Sequence, residues 1–431
     1  MTETMNRRTT TILGAGAVLD FDFNGLLKPT TENITKAVTE EKIQGYDEIE
    51  SDLIKIVYNK IVDAATSEYN YLHPAVKNYD PHITFEDLFE VIETLYSYNS
   101  TWKHEHYPFS FISALVKSDL NYQSVDYHRS MIAIIRRIME IVDAYDERFR
   151  VDGNEQWYKD FWKRFEGGID VFNLNYDTTI ENSLDKYTDG FVNQYPGYQR
   201  FEPEEIWNAE ADVATVNHLH GCILYSDPNP EPLQYYYSHH DLYKFYSTKD
   251  VMDIMGRLFF LPRNQVGDSI FYTPIITGLK KTDKICYMPH SFYHANFAKR
   301  IIENPSLLIC GYSFGDLYVN QLLQRHKLVH GRNERIVIVD KWNDRVNDDP
   351  VALYRYFWDN TSGGFKEFVG RLIECVNPTV ETFIQFEQIV EGCWQTPNGV
   401  LRLYTKGLKN AVDNDKKGIL EFLRNNQMRD D

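Results

Sequence analysis

Two histidines one residue apart, in Asn217-His218-Leu219-His220-Gly221, close a short β-branched run. An extended backbone there puts both rings on one side. A neutral imidazole at such a strand end can serve as a general base near pH 7, because imidazole's unperturbed pKa lies close by. Three further motifs end an apolar run in the same way: Leu13-Gly14-Ala15-Gly16, Asn173-Leu174-Asn175-Tyr176-Asp177 and Gly311-Tyr312-Ser313-Phe314-Gly315-Asp316. Each offers groups suited to touching a dinucleotide. Gly14-Ala15-Gly16 lets backbone amides approach a phosphate. Asn175 and Asp177 can hydrogen-bond a ribose hydroxyl or water, and a carboxamide. Gly311 permits close backbone approach, Ser313 can donate to a phosphate, and a helix starting near Asp316 would present its positive end.

Each motif also has a purely structural reading. Gly14-Ala15-Gly16 can be a tight strand-to-helix turn, and the Asn173–Asp177 stretch can cap a helix starting near Thr178. His218 and His220 can begin a metal site, although no nearby Cys or carboxylate completes one. His218, the more N-terminal of the two, suits the core. An ordinary dinucleotide fingerprint fits poorly, since Leu19 stands where its third glycine belongs. Gly311, Ser313 and Gly315 also match the nucleophile elbow of α/β hydrolases. That chemistry needs a later histidine outside the following helix, and none follows His326 and His330.

The elements that must hold these motifs are short, apolar and β-branched: Thr10–Leu13, Ile169–Leu174, Ala214–Leu219, Leu307–Cys310 and Arg335–Asp340. Such runs suit a parallel sheet covered on both faces, with helical patterns between them, so the expected class is α/β with a Rossmann-like, mostly parallel sheet. Ligands of open α/β sheets sit outside the carboxyl ends of the strands, where all four motifs fall. Asp52–Tyr58, Phe85–Ile92 and Met131–Met139 carry apolar residues at three- and four-residue steps, and Thr84 suits the N-cap of the second. The expected organisation is a core of residues 1–29 and 165–376, a helical insertion over 30–164, and a helical C-terminal tail over 377–431. Within the core, an aromatic-rich insertion at about 222–305 opens on the Pro-rich loop Asp227–Pro232 and Tyr235-Tyr236-Tyr237.

Against 45 Lys and Arg stand 63 Asp and Glu, a formal net charge of -18 that repels phosphate backbones and anionic membranes. Direct nucleic-acid binding is therefore not expected. The five cysteines show no C-x-x-C spacing, and Cys310 reads as a small buried hydrophobe. No signal segment opens the chain and no apolar run approaches the roughly 18 residues of a spanning helix, so a cytoplasmic location is expected.

Taken together, the order and placement of the four motifs resemble the sirtuin (SIR2) superfamily. Gly14-Ala15-Gly16 is similar to its phosphate loop, Asn175 and Asp177 to the Asn and Asp of its Thr-Gln-Asn-Ile-Asp motif, His220-Gly221 to its catalytic His-Gly, and Gly311-x-Ser313 to its phosphate-binding turn. The resemblance implies a SIR2 fold and NAD as substrate. It implies catalytic roles for Asn175 and His220, cofactor contacts from Gly14, Ala15, Gly16, Gly311 and Ser313, an Asp177 that orients the carboxamide, and an adenosine-side contact from Asp340. It covers the sheet and leaves both insertions and the tail unexplained.

The departures carry information too. Protein-deacylating sirtuins hold a four-cysteine zinc module between the His-Gly and Gly-x-Ser motifs. Here that interval contains Cys222 and Cys286, with Cys310 at its end. Missing zinc cysteines and a large helical insertion resemble the bacterial SIR2-like proteins of antiphage defence, which hydrolyse NAD to nicotinamide and ADP-ribose. The expectation is such an NADase without zinc, working as a homo-oligomer or with a HerA-type ATPase or Argonaute-like partner. The alternatives are a zinc-free deacylase or ADP-ribosyltransferase, or a catalytically silent subunit binding NAD or ADP-ribose.

Overall fold

The computed structural model describes residues 8–40, 48–73, 81–99, 122, 124–153, 155–165, 168–228, 241–255, 273–277, 281–341 and 386–424. Tyr235-Tyr236-Tyr237, most of the Pro-rich loop before them and the core stretch expected over 342–376 lie outside these residues.

The expected strands form within a residue or two of their predicted limits. β1 is Thr9–Leu13, β2 Ile169–Asn173, β3 Tyr187–Thr188, β4 Phe191–Tyr195, β5 Tyr198–Phe201 and β6 Ala214–His218. β7 is Tyr225–Ser226, β8 Tyr243–Phe245, β9 Ser306–Cys310, β10 Arg335–Val339, β11 Glu387–Val390, β12 Cys393–Gln395 and β13 Leu401–Tyr404. Among the described residues nine strands make one sheet in the order β11-β12-β13-β10-β9-β1-β2-β6-β3, and β4-β5-β8-β7 make a smaller antiparallel one. From β13 to β3 all neighbours run parallel. Every residue of β1, β2, β6 and β9 is buried, polar members such as Thr10, Asp170 and Asn217 included, which explains why these runs show no polar–apolar alternation.

Register matters most for function. Val339 pairs with Cys310, Cys310 with Leu13, Leu13 with Asn173, and Asn173 with His218. The last residues of five strands thus form one row across the sheet. The motifs that follow them emerge side by side along its carboxyl edge.

Helices cover the sheet. α1 (Thr31–Thr39), α2 (Glu48–Leu72), α3 (Phe85–Asn99) and α4 (Ser124–Asp152) pack on one another, and α5 (Gln156–Trp162) leads into β2. Thr84 does cap α3: its hydroxyl accepts from the Asp87 amide at 3.3 Å while Asp87 Oδ2 accepts from the Thr84 amide at 2.8 Å. After α6 (Glu204–Trp207), α7 (Thr248–Met255) and α8 (Lys281–Ile285) come α9 (His290–Glu303), packed on β2 and β6, and α10 (Leu317–His330), packed on α9. Among the described residues no helix is long and apolar enough to cross a membrane.

One expectation needs correction. The segment after residue 376 is not simply a helical tail: β11, β12 and β13 extend the sheet before α11 (Leu408–Arg424) packs against β9 and β10. Strands of three or four residues carry too little period-two signal to compete with the strong helical pattern of α11. Their pairing with β10 places Leu401 and Leu403 in the core.

Candidate active site

The loop after β1 and the loop after β9 are built into one another. Gly14 N–H donates to Cys310 O and Gly16 N–H to Gly311 O, both at 2.9 Å. A Cβ on Gly14 would lie 2.5 Å from Gly311 O, one on Gly16 2.6 Å from Gly311 Cα, and one on Gly311 2.1 Å from Ala17 N. Gly311 also sits at φ +61°, a left-handed conformation that costs L-residues about 1–2 kcal/mol. The structure gives Gly14 and Gly16, expected at a phosphate, partners within the protein. Their amides are spent inside the protein, and their missing side chains admit another backbone. Ala15 between them is exposed.

Asn175 stands above the end of β2, half-buried. Its Nδ2 donates to Gly14 O at 3.1 Å, and its backbone amide donates to Asn173 Oδ1 at 3.0 Å. The amide group is thus held against the β1 loop with Oδ1 available. Asp177 points the other way. It is fully buried, with Oδ2 accepting from Tyr145 Oη at 2.7 Å and Oδ1 from the Thr179 amide at 3.0 Å and the Thr179 hydroxyl. Burial raises its pKa, and these donors offset only part of that. Both carboxylate oxygens of Asp177, the residue expected to orient a carboxamide, are thus engaged by the protein.

The two histidines also part company. His218 is buried at the end of β6, with Nε2 2.7 Å from Glu181 Oε1. Burial disfavours its charge, but the Glu181 carboxylate outweighs burial and raises the His218 pKa. Lys244 extends this buried network, bonding Asp189 and lying 3.8 Å from Glu181. His220 instead reaches the edge, partly exposed, with Nε2 3.0 Å from Asp316 Oδ2. Its carbonyl accepts from Ile276 N–H at 2.7 Å, which pins the backbone beneath the ring.

Asp316 does two jobs. Its Oδ1 accepts from Val319 N–H at 3.0 Å as the N-cap of α10, while Oδ2 faces His220. Burial opposes its ionisation, but the hydrogen bond and charge of His220 and the Val319 amide prevail, holding the carboxyl well below the usual carboxylate range. An ionised carboxylate only accepts, so His220 Nε2 carries the hydrogen of this contact, and in the neutral form of the ring the lone pair is on Nδ1.

The Gly311–Asp316 loop is shaped to make this contact. Phe314 is buried at φ +55°, uncommon for a bulky residue and the kind of strain found at functional sites. Asn320 Nδ2 donates to Phe314 O at 2.8 Å, and Tyr312 Oη donates to Asn320 Oδ1 at 2.8 Å while accepting from the Asp316 amide at 3.1 Å. Ser313 is left exposed at the apex. Asp340 follows β10 next in the row, half-buried, its amide donating to Tyr404 O at 2.9 Å.

Sequence reading missed three participants. Asp316 was inside a recognised motif, but only folding brings it to His220. Tyr145 comes from α4, and nothing local to it signals a partner at Asp177. His294, on α9, donates from Nε2 at 3.1 Å to the carbonyl of Leu219, the residue before His220, and burial lowers its pKa to about 4, so it is neutral. Among the described residues no group of three or more His, Cys, Asp or Glu is disposed to hold a metal ion.

Residues 170–360 match the family described as the SIR2-like domain. The matched stretch begins within β2 and takes in Asn175, Asp177, His218, His220, Gly311, Ser313, Asp316 and Asp340, while Gly14-Ala15-Gly16 lies outside it. None of the curated proteins matches the chain. A SIR2-like domain points to NAD-related activity.

Proposed function

We propose that the chain hydrolyses NAD at the bond between nicotinamide and ribose, with Asn175 and His220 as the catalytic residues. The observation that carries this reading is the convergence of His220, oriented by Asp316, and Asn175, tied to the β1 loop, at one carboxyl edge of a sheet that matches the SIR2-like domain in part. An edge of this kind suits a dinucleotide. The exposed Ala15 and Ser313 would meet the pyrophosphate, and Asp340, next along the row, would meet the adenosine side.

In the proposed reaction the bond between the ribose C1′ and the nicotinamide nitrogen breaks, and its electron pair leaves with nicotinamide. Water held by Asn175 Oδ1 forms the new bond to C1′. His220 Nδ1 takes the water proton, directly or through a ribose hydroxyl, and Asp316 stabilises the imidazolium that results. The products are nicotinamide, ADP-ribose and one proton, so the equation balances. Interactions that hold water and base in a near-attack arrangement supply much of the rate in such a site.

The resemblance to antiphage SIR2-like proteins extends the proposal to biology: an effector that depletes NAD on infection, assembled with itself or with a HerA-type ATPase or Argonaute-like partner. The decisive experiment incubates purified chain with NAD, alone and with any partner, and separates the products by chromatography. Nicotinamide with free ADP-ribose is expected, and His220→Ala should abolish both while leaving the protein folded. Equal cleavage by His220→Ala would remove the assignment. Label transferred to a peptide, or O-acyl-ADP-ribose, would replace hydrolysis by transferase or deacylase chemistry.

A further inference from the structure

Two consecutive residues of α4 reach the turn that carries Asn175. Tyr145 Oη donates to Asp177 Oδ2 at 2.7 Å. Asp146 accepts from the Thr178 amide at 3.1 Å and from the Thr178 hydroxyl at 2.6 Å. All four residues are buried. Asp177 and Thr178 lie two and three residues beyond Asn175, so the turn is gripped by the helical layer on one side. The sheet holds the other side, where Asn175 Nδ2 meets Gly14 O.

The same layer makes a second contact, through Lys284. Lys284 Nζ donates to Thr277 O at 2.7 Å and lies 3.1 Å from the Glu93 carboxylate of α3, with both charged groups buried. Beside Thr277, Ile276 donates its amide to His220 O. A chain of buried polar contacts thus runs from α3 through Lys284 to the backbone of His220. α3 and α4 pack directly on each other, so both grips belong to one helical layer. Polar bonds inside a low-dielectric interior are costly to leave unmade, which makes such links stiff.

We infer that Tyr145, Asp146 and Lys284 are positioning residues, through which the helical layer sets the orientation of Asn175 from one side and of His220 from the other. The catalytic arm of the test rests on the proposed NAD-cleaving reading. The structural arm does not.

The test uses the whole chain with Tyr145→Phe, Asp146→Ala and Lys284→Met, read by hydrogen exchange and by nicotinamide release. Tyr145→Phe and Asp146→Ala should raise amide exchange across residues 175–179 by at least about tenfold, as expected when a buried bond is lost, with β1 and β2 as protected as in wild type. Lys284→Met should do the same at residues 220–222. Each variant should lower kcat by about 100-fold, the cost of a misplaced group, with KM little changed. Exchange changes confined to α4 or α8, or an unchanged kcat beside altered exchange, would overturn the inference. Should wild type release no nicotinamide, the NAD reading fails and the exchange pattern alone decides the positioning role. Tyr145→Phe removes only a hydroxyl and carries the comparison if Asp146→Ala does not fold.

Discussion

His220 Nε2 lies 3.0 Å from Asp316 Oδ2, although β1 and β2 stand between the strands that lead to these two residues. Three strand spacings amount to about 14 Å. The six residues from Gly311 to Asp316 can span up to roughly 20 Å when extended, enough for the loop after β9 to bring Asp316 to the histidine. One carboxylate therefore fixes the imidazole and caps α10, tying the loop after β9 to the segment after β6.

This double duty can be separated by substitution. Asn caps helices as well as Asp does, so Asp316→Asn should keep α10 and cost little stability, whereas Asp316→Ala should lose about 1 kcal/mol from the missing cap. An asparagine amide can donate to Nε2 and turn the ring's lone pair away from Nδ1. Nicotinamide release by Asp316→Asn should fall by about 10²-fold or more, within the range that general-base catalysis supplies. Wild-type kcat in a folded Asp316→Asn protein would show that the contact does not serve catalysis.

The interlocked glycines make a stability prediction. Gly311→Ala and Gly16→Ala drive a methyl into backbone at 2.1 Å and 2.6 Å, where no side chain can yield. Gly25, at φ +87° with nothing near its missing Cβ, supplies the control. Gly25→Ala should cost about 1–2 kcal/mol from conformation alone. The other two should cost clearly more, measured by urea unfolding. Equal losses would mean that the two loops are free to separate.

Asp146 gives stability a dependence on pH. Burial and the neighbouring Asp177 push its carboxyl up to about 7, Glu181 adds to this, and Thr178 and Arg150 offset part of it. A folded-state pKa above the unfolded one contributes stability that is fully present below about pH 4 and declines as pH rises to 7. Asp146→Asn should flatten that decline in urea midpoints measured between pH 4 and 7. Parallel profiles for variant and wild type would sink the prediction.

His290 and His294 act with the opposite sign. Burial pushes His290 down to about 3 and His294 to about 4, with neighbouring histidines adding to the effect on His290. Both are neutral in the fold, while an unfolded histidine titrates near 6.5. Their contribution is present above about pH 6.5 and is lost as pH falls towards 4, when the unfolded chain takes up protons that the fold cannot accommodate. His290→Gln should weaken this acid destabilisation, read as a shallower fall in thermal midpoint below pH 6. A steeper fall would show that His290 is charged in the folded protein.

The sheet was legible because buried parallel strands leave a direct mark: short runs rich in apolar and β-branched residues, such as Ile169–Asn173 and Ser306–Cys310. Those runs, and the residues that end them, located Asn175, His220, Gly311 and Ser313 at strand ends. The strands β11 to β13 were not legible, because segments of three or four residues carry hardly any periodicity. The partners of Asp177 were not legible, because its alternation with Asn175 concerns an extended chain, and the chain turns there to meet Tyr145 and Thr179.

By itself the sequence determined which chemical groups sit at strand ends, and in what order along the chain. Only the tertiary structure decided which of them face the edge and which the interior. It set five strand ends in one row, turned His218 to Glu181 and Asp177 to Tyr145, and filled the space beside Gly14 and Gly16 with another backbone. The physical reason is that a buried polar group is directed by its hydrogen-bond partner. The partners here lie far away in sequence, 96 residues separating His220 from Asp316, so only the packed layers bring them into reach.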